Sequence, residues 1–419
     1  MSPKDMGNDN RDCPECGTRL PVQTGYITWC HACEWNLLPQ STPEASNRWQ
    51  RMSTSAKRSW TRQLFDRMKD DPKLRPSTTF TKIMAYVAAT MVHMITLGFA
   101  LLGFWLLWQN WPNIFAIVGG LLFLTIAWVL FPRMEKMPEN IVARERIPIL
   151  YQLADNISQE LGIRSIAGII IGTGYSAALI EVGWQRKKVL YIGLPLFAVL
   201  NGQERVAVIA HELAHAANRD PLRGLYIGSA LASLDGWIDI LGVGEVGRTR
   251  GLTEVGLIIL LLSLPSILTR YLLTFLLARE SQRAEYLADY LASQIGGKEA
   301  LLSTLRKLHF DANLRSHIVA ISASQNYEAD LFDRLRLSIS EVPERELDRV
   351  WRIAELEVTN FYSSHPPVAY RVALLDARGS NDPRYTISES NAQSLEAELG
   401  PFEQVIQKKL VDAYRLSIG

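Results

Sequence analysis

Residues 208 to 220 read VIAHELAHAANRD, and the HELAH at 211–215 has the residue types and spacing of a metal-dependent hydrolase. On an α-helix, residues four apart share a face, so His211 and His215 can present two imidazole nitrogens to one ion. Glu212 is rotated about 100° from His211 and reaches toward the ion's open coordination position. There a carboxylate can take a proton from a zinc-bound water, whose pKa the metal lowers toward about 7, and return it to a leaving amine. Such a five-residue pattern also arises by chance on an ordinary amphipathic helix, and two histidines leave the site short of one ligand.

The extended pattern HExxHxxGxxH would supply a third histidine, but Asn218 and Pro221 stand at its glycine and histidine positions. The search therefore moves to acidic residues on a later helix. In ARESQRAEYLADYLASQIGG, residues 278–297, Glu285 and Asp289 are four apart and share a face. Glu285 is the candidate third ligand, and Asp289 could accept a hydrogen bond from a ligating histidine and fix its tautomer. The plain alternative is a solvated acidic face paired with Arg279 and Arg283.

All four cysteines fall near the start of the chain, as two Cys-x-x-Cys pairs, Cys13/Cys16 and Cys30/Cys33. The spacing fits a tetrahedral structural zinc site of the ribbon type, with His31 as a possible substitute ligand, and points to a reducing compartment. A protein partner at this ribbon is the expected use. With Lys+Arg 44 against Asp+Glu 43, the chain has no global field to draw it to nucleic acid.

Those residues must be positioned by the elements between them. Residues 1–38 form the ribbon and 39–80 a Pro/Ser/Thr-rich linker followed by a basic helix, in which Trp60, Leu64 and Met68 recur every four residues. Such a helix either lies on an anionic membrane surface or packs on a neighbour. Residues 81–132 hold two uncharged runs, Ile83–Trp108 and Ile114–Phe131, joined by QNWPN. They read as a transmembrane hairpin with aromatic residues near its ends. Lys69, Lys73, Arg75 and Lys82 before it and Arg133, Lys136, Arg144 and Arg146 after it place both flanks in the cytoplasm.

The remainder, 139–380, reads as a catalytic domain and 381–419 as a polar helical tail. Residues 142–161 are helical with Gly162 as the stop, and SIAGIIIG, AALIEVG and KKVLYIG are strands, the last two a hairpin. Apolar runs near 224–243 and 256–278 separate His215 from Glu285, with Asp235, Asp239, Pro265 and Arg270 inside them. Because the three ligands must meet in one compartment, these runs cross a membrane twice or not at all. Two imperfect helices lining a cleft are the preferred reading.

The ordered set resembles the membrane zinc metallopeptidases typified by the heat-shock protease HtpX and the CAAX prenyl endopeptidases, of gluzincin type. The likeness rests on the hairpin, HELAH followed by Asp220, SQRAEYLAD at 281–289 and SSHPPVAYR at 363–371, and covers roughly 80–380. It implies Glu285 as third zinc ligand, and His365 and Arg371 as groups touching substrate or the developing oxyanion. Pro366 and Pro367 equally suit a helix N-terminus. The resemblance also implies an edge strand that pairs with extended substrate, where this chain has TGYSAALIEVG at 173–183.

The expectation is a mainly α membrane protein with a small β-sheet, an HtpX-like domain and an added ribbon. Its function is expected to be zinc endopeptidase action on membrane proteins or peptides at the cytoplasmic face of a cell membrane, with one catalytic and one structural Zn2+. The rivals are prenylated-protein processing, a non-catalytic scaffold, and a membrane-anchored nucleic-acid binder.

Overall fold

In a computed structural model, residues 10–23, 25–38, 48–71, 79–131, 136–183, 185–218, 225–240, 254–323, 330–356 and 365–418 are described. Asp220, the linker at 39–47, Lys73, Arg75, Arg133, Ser363 and Ser364 lie outside the described residues.

The ribbon is a pair of short antiparallel strands, β1 (Asn10–Asp12) and β2 (Arg19–Pro21), followed by a second turn carrying Cys30 and Cys33. The basic helix α1 spans Arg48–Asp70. In its last turns the apolar face packs on the chain itself: Leu64 and Met68 are buried against Tyr286, Leu287 and Leu374.

The two uncharged runs form α2 (Phe80–Gln109) and α3 (Ile114–Leu130), with Thr79 and Asn113 as their N-caps. They approach closely at Gly103 and Gly120, where an added Cβ on either would meet the other's carbonyl oxygen at 2.9 Å. Further along the chain come α4 (Pro148–Glu160), the strands β3 (Gly168–Gly172), β4 (Ala177–Val182) and β5 (Lys187–Gly193), then α5 (Leu194–Val199) and α6 (Gly202–Ala217). Gly162, with φ at 65°, ends the turn after α4.

The strands lie in the order β3-β5-β4. The hairpin of β4 and β5 is antiparallel as the sequence suggests, but β3 pairs with β5 in parallel and leaves β4 at an edge.

Helix α7 (Leu225–Ile240) packs with α2, α3 and the long α8 (Glu254–Gly296), which carries an apolar half and a catalytic-domain half in one rod. Ala85, Ala89 and Val92 of α2 meet Ile227 and Ala230 of α7 and Leu273 and Leu277 of α8. Asp235, on α7, is paired with Arg270 on α8, so two of the charges inside the apolar runs answer one another. Among the described residues two helices, α2 and the part of α8 from Leu260, are long and apolar enough to cross a membrane, and α3 is shorter.

The chain ends in α9 (Lys298–Lys307), α10 (Asp311–Ala323), α11 (Leu331–Ser340), α12 (Glu344–Leu356), α13 (Val368–Arg378) and α14 (Glu389–Ile418). The tail helix α14 belongs to the main core: Leu395, Leu399, Ile406 and Val411 are buried there with residues of α4, α5 and α6. Its Glu398 accepts the backbone N–H groups of Ile149 and Leu150 at 2.7 and 3.1 Å, satisfying the exposed donors at the start of α4.

The ribbon is seated on α12. Trp29 donates through Nε1 to the Arg345 carbonyl at 3.3 Å, the Arg345 side chain donates back to the Trp29 carbonyl, and Arg349 donates to the Leu37 carbonyl at 3.0 Å. The neighbour seen for the ribbon is thus another part of the same chain.

Candidate metal centre

Helix α6 is held at its start by a reciprocal cap. Asn201 accepts the Glu204 N–H at 2.9 Å and Glu204 accepts the Asn201 N–H at 2.7 Å. The same buried carboxylate takes the Lys307 ammonium at 2.7 Å and the Ser303 hydroxyl at 2.6 Å, tying α6 to α9. At its other contact, Gly296 of α8 lies so near α6 that an added Cβ would stand 2.9 Å from the Ala207 Cα. These ties fix the two helices that carry HELAH and Glu285.

The resulting geometry brings the separated residues together. His211 Nε2 and His215 Nε2 are 3.3 Å apart. Glu285 places Oε2 at 3.5 Å from His211 Nε2 and Oε1 at 3.5 Å from His215 Nε2. With metal bonds of about 2.0–2.1 Å and tetrahedral angles, donor atoms should be about 3.3–3.4 Å apart. Two imidazoles and a carboxylate at these separations are able to hold a zinc-sized ion.

Behind the donors is a buried relay. His211 Nδ1 lies 3.0 Å from Asp289 Oδ1, the carboxylate expected to fix its tautomer. Arg371 grips the same carboxylate with Nε and Nη2 at 2.7 and 2.6 Å. The resemblance implies a substrate-facing Arg371; in the structure its guanidinium is buried and directed to Asp289, with Nη2 3.8 Å from Glu285. Burial opposes ionisation of Asp289, but the Arg371 charge and hydrogen bonds outweigh it and lower its pKa. Glu285 is held well below the usual carboxylate range: burial acts against this, and His211, His365 and Arg371 prevail. Burial likewise disfavours a charged His211, yet Asp289 and Glu285 push its pKa up to about 9.

The centre opens on a cleft of about 660 Å³ lined by His211, Glu212, Glu285, His365 and Arg371, with Leu196, Leu301 and Leu305 among its apolar walls. Glu212 accepts the Leu179 N–H of edge strand β4 at 3.1 Å. No motif marks Leu179, since its contribution is a backbone donor that becomes visible only once β4 is an edge. His365 places Nδ1 3.1 Å from Glu285 Oε2 while most of its side chain faces solvent. Pro367 caps α13, so the HPP stretch also serves as a helix entry.

The cysteines form a second donor set. Cys13 Sγ is 3.6 Å from Cys33 Sγ and Cys16 Sγ is 3.5 Å from Cys30 Sγ, and all four are free thiols. Tetrahedral zinc with bonds of about 2.3 Å separates sulfurs by about 3.8 Å. The four cysteines and the His/His/Glu set are two groups able to hold a metal ion among the described residues.

Residues 181–379 match Peptidase family M48. The chain is 24% identical over 246 residues to a protease HtpX homolog of Pyrobaculum calidifontis, covering 55% of this chain and 67% of that protein. A protease HtpX homolog of Thermococcus kodakarensis is 27% identical over 247 residues, 56% of this chain and 75% of the relative. One from Thermococcus sibiricus is 31% identical over 185 residues, 42% of this chain and 62% of the relative. The matched span of this chain contains the HELAH helix, Glu285 and His365, so what is shared is the part that builds the centre. Residues 181–379, a little under half of the chain, are thus similar to Peptidase family M48 and to its HtpX-type proteases, and this likeness supports a metalloprotease hydrolase.

Proposed function

We propose that the protein is a multi-pass membrane zinc endopeptidase that cleaves membrane proteins, or peptides at the membrane, on the cytoplasmic side. The observation that carries this is the convergence of His211, His215 and Glu285 at a cleft that Glu212 lines, with Glu285 on a helix whose other half is an apolar run. The basic residues flanking α2 and α3 support a cytoplasmic catalytic domain, as does the zinc-type Cys-x-x-Cys spacing, which suits a reducing compartment.

Zinc held by the three donors would lower the pKa of a bound water toward about 7 and polarise the scissile carbonyl. Glu212 then accepts the proton of the attacking water and delivers it to the departing amine. The Leu179 N–H orients that carboxylate before substrate arrives. Substrate lies extended along β4, whose Ala177 and neighbouring Ser176 line the cleft. His365, at the open mouth, donates to the developing oxyanion and steadies Glu285. Arg371 is assigned a positioning role through Asp289 and His211. Cys13, Cys16, Cys30 and Cys33 would hold a second zinc, whose role would be structural.

Replacing Glu212 by Gln tests the reading. The variant should bind zinc as the wild type does and lose cleavage of an unmodified membrane protein by at least 10²-fold; retained cleavage would remove Glu212 from the mechanism. The prenyl-processing alternative uses the same residues. Cleavage of a farnesylated peptide, with no action on an unmodified membrane protein, would favour it.

A further inference from the structure

The mechanism leaves unused a pocket at the base of the apolar helices. It has a volume of about 360 Å³ and lies where α1, the start of α2 and the Arg279–Arg283 turn of α8 meet. Three guanidinium groups line it, from Arg67, Arg279 and Arg283. Its two carboxylates are already engaged. Glu280 accepts the Thr79 and Thr81 hydroxyls at 2.5 and 2.7 Å, and Asp71 lies 3.8 Å from Arg283. Among the described residues that line it, three cations against two anions leave one positive charge in excess.

One donor in particular lacks an acceptor. Arg279 Nη2 is buried with no hydrogen-bond partner among the described residues, while the guanidinium stacks 5.6 Å from the Trp60 ring centre. Leaving such a donor unmet is unfavourable, and more so when it is charged. Arg67 adds like-charge repulsion to Arg279. The rim carries Phe80, 77% exposed, from which the apolar surface of α2 begins, and the apolar half of α8 ends at Ala278 just before Arg279. A ligand with anionic oxygens at one end and an apolar body at the other satisfies both surfaces, and a phosphodiester supplies one negative charge in a shape suited to forked guanidinium donors.

We propose that this pocket binds the phosphate of an anionic phospholipid headgroup, with Arg67 and Arg279 as its principal donors. The lipid source rests on the membrane-spanning reading above, and binding is measured apart from peptidase activity, so either can fail alone. The bound lipid would join α1, packed on the catalytic helices, to the first turn of α2.

Native mass spectrometry of the full chain in detergent tests this, using phosphatidylglycerol, phosphatidylcholine and inorganic phosphate as probes. One phosphatidylglycerol should be retained about 10-fold more tightly than phosphatidylcholine. Arg67→Gln and Arg279→Gln should each weaken that retention several-fold, while Arg62→Gln, exposed on α1 outside the pocket, should not. Arg67 is itself exposed, so its variant keeps the test open if Arg279→Gln fails to fold. Equal retention of the two lipids, or retention unchanged in Arg67→Gln, would overturn the proposal. Displacement of phosphatidylglycerol by millimolar inorganic phosphate would overturn the lipid as the source and leave a free-phosphate site.

Discussion

Replacing Arg371 by methionine separates a group that acts through the metal ligands from one that touches the reacting atoms. Arg371 makes two short bonds to the fully buried Asp289, whose Oδ1 is 3.0 Å from His211 Nδ1. The substitution leaves that carboxylate without its cation, and breaking a buried pair from one side costs about 3–5 kcal/mol. Taking about 3 kcal/mol, the apparent Tm of a domain this size should fall by about 6–12 °C. Loosening the carboxylate that orients a ligating histidine should weaken zinc binding about 10–100-fold. Zinc titration in a buffered chelator series and thermal unfolding read these two quantities. At saturating zinc, kcat should largely return. Unchanged zinc affinity and Tm, with kcat down about 10²–10³-fold, would refute the reasoning, because that pattern belongs to a donor aimed at the oxyanion.

Other consequences follow from single contacts. Gly296→Val forces a side chain into the Ala207 backbone between α6 and α8, so zinc affinity and Tm should fall together; a wild-type Tm would contradict that close approach. Cys16→Ser should reduce bound zinc by one per chain and raise hydrogen exchange across 344–356, where the ribbon sits; unchanged exchange there would mean the seat is independent of the metal. Arg270→Met leaves Asp235 alone between α7 and α8 and should lower thermal stability, with the double variant Asp235→Leu/Arg270→Met regaining most of it; a double variant no better than the single would remove the pair from the packing argument.

What the sequence made legible is local. HELAH offers two candidate ligands and a candidate base because helical spacing alone sets their faces, and the alternation around Ala177–Gly193 gives the hairpin. Glu285 and Asp289 were legible by the same four-residue rule, once a downstream histidine had been excluded. Arg371 was visible as a residue but not as Asp289's partner, since that contact depends on how α13 lies on α8. The parallel pairing of β3 with β5, which makes β4 an edge and gives Glu212 its backbone donor, is likewise set by packing across the chain. So is the seat of the ribbon on α12, more than 300 residues away in sequence. For α1 the amphipathic pattern was real, but an apolar stripe looks alike whether lipid or Tyr286 covers it.

Zinc content per chain, measured on the wild type and on Glu285→Ala after equilibration with a moderate chelator, tests the central claim most directly. The wild type should hold two zinc ions and Glu285→Ala one, retained by the cysteines. Two ions in both proteins would mean that Glu285 is not the third ligand and that the centre is built differently.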